Sequence, residues 1–235
     1  MQIERVIPLA KQLLILPMGD TRQDLWLWEH SERVMRLTSM LAGLPELDGQ
    51  AADLAALAVA ALFHDAGWVL EYHQNRFERW QLLTRPTNDL QRELGAAMLM
   101  EEAGPLISGP TARLAADAIR HCNDRKTNLL EARLLAEAEA LDEVGVMYAL
   151  RQFRQYQAEG RPLQQLADTW QRQKEYHYWE VRLSNSFHYE TTRELARQRL
   201  EAVDAFMTAL ARDLRGDDVR QRVQPAGEAV APESA

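Results

Sequence analysis

The sequence predicts an all-α fold, a single orthogonally packed helical domain, on three observations. Strong helix formers (alanine, leucine, glutamate, glutamine and arginine) are abundant along the chain. Apolar residues recur at three- and four-residue spacings, and no run alternates apolar and polar between turns as a strand would. A length of 235 residues, 46% hydrophobic and 26% charged, suits one domain over residues 1–215 with a tail, and is tight for two.

In chain order, the first twenty residues have Glu4, Pro8 and Lys11 among their apolar positions, so they lack the continuous core of a secretory signal. Asp20 or Thr21 serves as N-cap for a helix that Gly43 and Pro45 stop, with His30 near its middle and Leu27, Val34, Leu37 and Leu41 on its apolar face. A second helix is expected from near Asp48, carrying "FHDAG" toward its end and terminated by Gly67. The segment "WVLEYHQNRFERWQLLTRPTN" is aromatic, basic and irregular, with Pro86 forcing Arg85 into an extended or turn conformation; it reads as a loop or lid over a site. Helices follow over about Asn88–Ala103, Pro110–His121 and Leu129–Gln157. Pro162 suits the first turn of another, and a long helix over Thr191–Leu214 stops at Gly216. Residues 216–235 hold few large apolar side chains and read as a disordered tail.

Composition narrows the partners. A formal charge of -8 leaves no general basic surface for a nucleic-acid polymer, though a local basic pocket for a small phosphorylated ligand is compatible with it. The longest apolar run, Leu54 to Phe63, is half of the roughly 20 residues a membrane helix needs. Cys122 is the one cysteine, so no intrachain disulfide forms. A cytoplasmic protein without a membrane partner is the expectation. The long terminal helix and scattered exposed tryptophans permit a homodimer without requiring one.

The residues able to carry chemistry interrupt apolar helix faces. They are His30, the adjacent His64 and Asp65 in "ALFHDAGW", His121, and Glu139 with Asp142 in "EARLLAEAEALDEVGVMYALRQF". Leu134, Ala138, Leu141, Gly145 and Tyr148 form the stripe of that last segment, and both carboxylates border it. Buried imidazoles and carboxylates are costly unless each finds a partner. They are also the ligand set of borderline to hard divalent metals, and one cation satisfies several of them together.

In its order of His30, His64-Asp65 and a distant acidic residue, the chain resembles the HD-domain superfamily of metal-dependent phosphohydrolases. "HSERVMRL", with His30, Arg33 and Val34, is similar to the family's opening helix, "AALFHDAGW" to its second, and "AIRHCND" to the stretch carrying a further histidine. "VRLSNSFHYETTRELARQRLEAVDAFMTAL" is similar to the closing helices of a bacterial branch. The resemblance implies an HD-type fold and one divalent ion (Mn, Fe, Co, Ni, Zn or Mg). Its implied metal residues are His30, His64, Asp65, either Glu139 or Asp142, and His121. It implies hydrolysis of a small phosphorylated substrate, a nucleotide among the candidates, with Asp65 also accepting from the attacking water and Arg33 and Lys126 meeting the phosphate. Arg125, Arg76 and Arg79 are further cations, Glu71 a candidate acid, and His73, His177 and His188 non-ligands. Two departures stand out: Glu139 occupies the position of the family's ligand aspartate, and Gln91 precedes Gly95 where two-metal members carry histidine. They sustain two alternatives, a non-catalytic ligand-sensing or structural module and, less well, an oxygen-using di-iron protein.

Overall fold

Capping chemistry sets where the helices start, and in several places it moves the boundaries the sequence suggested. The computed structural model describes residues 3–223. Helix α1 is Ile3–Leu14, followed by three-residue strands β1 (Leu16–Met18) and β2 (Arg22–Asp24), paired antiparallel. No strand was expected here, and Asp20 and Thr21 lie in the hairpin turn instead of capping a helix. Helix α2 begins only at Trp26, whose amide donates to Asp24 Oδ1 at 3.0 Å, and runs to Leu41.

Helix α3, Leu54–Phe63, starts later than Asp48 because Asp53 is the cap: its Oδ1 accepts from the amides of Ala55 and Ala56. The helix ends at Phe63, residues 64–66 form a turn, and α4 (Gly67–His73) begins at the glycine expected to terminate α3. His64 and Asp65 therefore sit at a corner between two helices. The stretch Leu54–His73 has the length and hydropathy of a membrane span, yet 78% of its most apolar window is buried in the protein.

Helix α5, Asp89–Met98, is opened by a reciprocal cap in which Asn88 Oδ1 accepts from the Gln91 amide and Gln91 Oε1 from the Asn88 amide. A π-turn extends it to Ala103, matching the expected end. Helix α6 is Gly109–His121, capped by Ser108. The expected long helix 129–157 is broken into α7 (Leu130–Glu143) and α8 (Val146–Ala158) at Gly145, whose φ of 92° is left-handed territory that favours glycine. Helices α9 (Leu163–Glu175), α10 (Tyr178–Ser186) and α11 (Glu190–Arg215) follow, and Gly216 caps the last at φ 65°. The tail expected from 216 is helical over Asp217–Val223 (α12), and its remaining residues lie outside those described.

Helix α3 is the axis of the core, buried from Ala56 to Phe63 and packed against α1, α2, α5, α6 and α7. None of the six tryptophans is exposed: Trp28, Trp68, Trp170 and Trp179 are buried and Trp26 and Trp80 half-buried. The surface tryptophans invoked for self-association are thus absent.

Two glycines let α5 press on the corner that carries His64 and Asp65. A Cβ on Gly95 would lie 2.6 Å from the Phe63 carbonyl oxygen, and one on Gly67 would lie 2.1 Å from that of Gln91. Both obstacles are backbone. Gly95→Ala is therefore expected to cost about 1–3 kcal/mol by overpacking, read as a lower urea midpoint with the slope unchanged. An unshifted midpoint would show the corner to be pliable.

Candidate metal centre

The corner and α2 bring three ligand atoms together. His30 Nε2 lies 3.2 Å from His64 Nε2 and 3.1 Å from Asp65 Oδ2, and His64 Nε2 lies 3.4 Å from the same oxygen. An ion about 2.1 Å from each donor separates neighbouring donors by roughly 3.0 Å at right angles and 3.4 Å at the tetrahedral angle. The triangle has those dimensions. All three residues are buried, at 1%, 0% and 0% exposure, and Asp65 Oδ2 has no hydrogen-bond partner among the described residues. A buried acceptor without a donor is costly, and a divalent cation supplies what it lacks. The donor set fits a metal.

The other nitrogen of each imidazole is anchored in the way metal-bound histidines usually are. His64 Nδ1 lies 2.7 Å from the Ala61 carbonyl, so it carries the proton and leaves Nε2 a free lone pair. His30 Nδ1 faces Asp142 Oδ2 at 2.7 Å. Burial pushes the His64 pKa down, which keeps it a neutral donor. Burial alone would lower His30 too, but the carboxylates of Asp142 and Asp65 beside its two nitrogens outweigh that and raise it. Asp65 is held well below the usual carboxylate range: burial opposes this, and the neighbouring His64 ring and Arg92 guanidinium overcome it.

Of the other residues singled out in the sequence, none joins the triangle. Asp142 acts one step back, orienting His30 while Arg33 Nε (2.6 Å) and Arg151 Nη2 (3.0 Å) donate to it. Arg33 is therefore spent on Asp142. Glu139 is held by Arg92, whose Nη2 reaches both carboxylate oxygens at 2.5 Å. His121 is exposed at the end of α6, and Arg125 and Lys126 are exposed on the loop beyond it, bonding to none of the three. Cys122, beside His121, is buried, and burial pushes its thiol up to about 12. Glu71 accepts from Gln91 Nε2 at 2.6 Å and pairs with Arg76 at 3.2 Å, while Arg79 lies 3.4 Å from Asp24. His73, His177 and His188 are exposed and lie outside the cluster.

Three contributors had no signal in the sequence. Arg92, 1% exposed, donates through Nη1 to Asp65 Oδ1 at 2.8 Å and to the His64 carbonyl at 3.1 Å. Thr87 Oγ1 donates to the same Oδ1 at 2.6 Å and accepts from Trp68 Nε1. Together they saturate one oxygen of Asp65 and leave the other facing the histidines. Arg151 Nη2 sits 3.1 Å from His30 Nδ1. An arginine on an amphipathic helix normally marks the solvated face, so neither Arg92 nor Arg151 stood out.

An all-helical fold that gathers two histidines and an aspartate from separate helices around one point defines a protein with a metal-centre-type site. Residues 27–144, half of the chain, match the HD domain family, and the chain belongs to that family. No curated protein matches it. Similar solved structures include Bacillus subtilis YpgQ (19% identity, TM-score 0.58, 92% of this chain and 96% of that one) and the same protein in complex with ADP (20%, 0.57, 92% and 97%). Another is described as a predicted HD superfamily hydrolase, from an uncultured Thermotogales bacterium (17%, 0.56, 91% and 93%). At these identities they establish the fold.

Proposed function

We propose that this protein is a divalent-metal-dependent phosphohydrolase acting on a small phosphorylated molecule, with a nucleotide as the first candidate. The observation that carries the reading is the orphaned Asp65 Oδ2 set within 3.4 Å of the Nε2 atoms of two histidines. A bound divalent ion supplies an acidified water and polarises a phosphoryl oxygen. The chain's part is to hold its ligands still. The Ala61 carbonyl and Asp142 set the tautomers of His64 and His30, and Thr87 with Arg92 holds Asp65 so that Oδ2 faces the histidines. Membership of the HD family and the capture of ADP by YpgQ support the substrate class.

One observation favours a second reading, a ligand-sensing or structural module without turnover. Arg92 holds Glu139 and Arg33 with Arg151 holds Asp142, the two acids from which a fourth ligand was expected, and among the described residues no other carboxylate joins the three. Metal analysis of purified protein, then a screen of phosphomonoesters and nucleotides with Mn²⁺, Co²⁺, Ni²⁺ or Mg²⁺, separates the two. The hydrolase reading expects about one ion per chain and metal-stimulated phosphate release that His64→Ala abolishes. A folded, metal-loaded protein that releases no phosphate from any substrate establishes the second.

A further inference from the structure

Resting on the phosphohydrolase reading, we infer that a cavity walled by Arg85, Arg151 and Arg182 is a subsite for a phosphoryl oxyanion of the substrate. The cavity, of about 170 Å³, lies between residues 83–86, Glu143 at the end of α7, Tyr148 and Arg151 of α8, and Trp179 and Arg182 of α10. Two of its walls lead to the metal-type triangle by separate routes. Arg151 Nη2 is 3.1 Å from His30 Nδ1, and the 83–86 segment runs directly into Thr87, which bonds Asp65.

The charge and the donors of this cavity suit an oxyanion. Three guanidinium groups face a single lining carboxylate, Glu143, which pairs with Arg182 and, at 3.5 Å, with Arg151. Arg85 lies over the Trp68 ring at 5.4 Å and has no carboxylate partner among the described residues. A phosphoryl group offers several strong acceptors at once to the guanidinium groups of this wall.

Size and alternatives point the same way. Pockets for whole drug-sized ligands run to roughly 300–1,000 Å³, so this one accommodates a single phosphoryl-sized group, the rest of the ligand lying toward exposed Arg85, Pro86 and Tyr178. Leu83 holds φ 60°, an uncommon conformation for a non-glycine residue, in the segment that presents Arg85. A larger cavity, about 420 Å³, is lined by Asp142, but all three of its arginines are engaged, Arg33 with Asp142, Arg36 with Glu32 and Arg199 with the Leu141 carbonyl, whereas the smaller one keeps Arg85 without a carboxylate partner among the described residues.

Calorimetric titration of the full chain with inorganic phosphate, in EDTA so that no cation contributes, tests the subsite. Wild-type protein is expected to bind, and Arg85→Ala and Arg182→Ala to bind at least about tenfold more weakly, the worth of one charge-assisted hydrogen bond. Asp65→Asn, which disables the metal-type triangle, is expected to retain phosphate. Arg85 is exposed, so its replacement keeps the test valid even if Arg182→Ala fails to fold. No binding by wild type, or equal affinity in wild type and Arg85→Ala, overturns the subsite. Arginine-dependent phosphate binding without metal-stimulated hydrolysis upholds the subsite while removing the hydrolase reading, so the two failures are distinguishable.

Discussion

Replacing Arg92 by alanine is expected to cost about 3–5 kcal/mol of stability, the usual penalty for stripping one partner from a buried ion pair. The guanidinium satisfies Asp65 Oδ1, the His64 carbonyl and both oxygens of Glu139, and it is 1% exposed, so water does not replace it. For a chain of this size, about 2–4 °C of melting temperature accompanies each kcal/mol. Thermal melts and urea titrations of the single variant therefore read a large effect. The penalty comes from uncompensated charge more than from lost attraction, because intact buried pairs contribute little net stability. A double variant, Arg92→Met with Glu139→Gln, is accordingly expected to be more stable than Arg92→Met alone. If the single replacement costs less than about 1 kcal/mol, the range of an exposed pair, Arg92 is not the keystone of the corner.

Asp65→Asn is expected to empty the centre while sparing the fold. Asparagine keeps the shape and an Oδ1 able to accept from Thr87 Oγ1 and Arg92 Nη1, the bonds that now fix the side chain. The loss falls on Oδ2, the orphaned atom beside His30 and His64 Nε2, where an amide nitrogen offers no lone pair to a cation. Metal content by plasma mass spectrometry is expected to drop from about one ion per chain to background, and metal-stimulated phosphate release to vanish with it. Circular dichroism is expected to remain wild type. Full metal occupancy in the asparagine variant would falsify the assignment of Oδ2 as a ligand atom.

Much of this was legible before any coordinates. His30, His64 and Asp65 stood out because polar groups interrupting strongly apolar helix faces need a common partner, and the fold supplies the convergence. The helix-forming composition and the stop at Gly216 were legible because they act within a few residues, whereas the caps expected at Asp20 or Thr21 and the stop at Gly67 gave way to a hairpin and a second helix. Asp142 was one of two acids expected at the centre, and in the fold it bonds His30 Nδ1 without joining the three. Its proximity to the stripe was visible, whereas its capture by Arg33 and Arg151 was not.

The sequence alone determined the all-helical class, the identity of three polar residues that converge and the absence of intrachain disulfide chemistry, because these follow from composition and short-range pattern. Tertiary structure alone decided which acids stand in the centre. In a straight helix Asp142 and Arg151, nine positions apart, would be separated by about 13.5 Å along the axis; the left-handed turn at Gly145 folds α8 back and brings them to 3.0 Å. Likewise nothing local distinguishes the buried Arg92 from a solvated surface arginine, since two of its partners, His64 and Asp65, come from the corner and the third, Glu139, from α7. A charge's partner is set by where distant segments meet, and the chain states that only once it is folded.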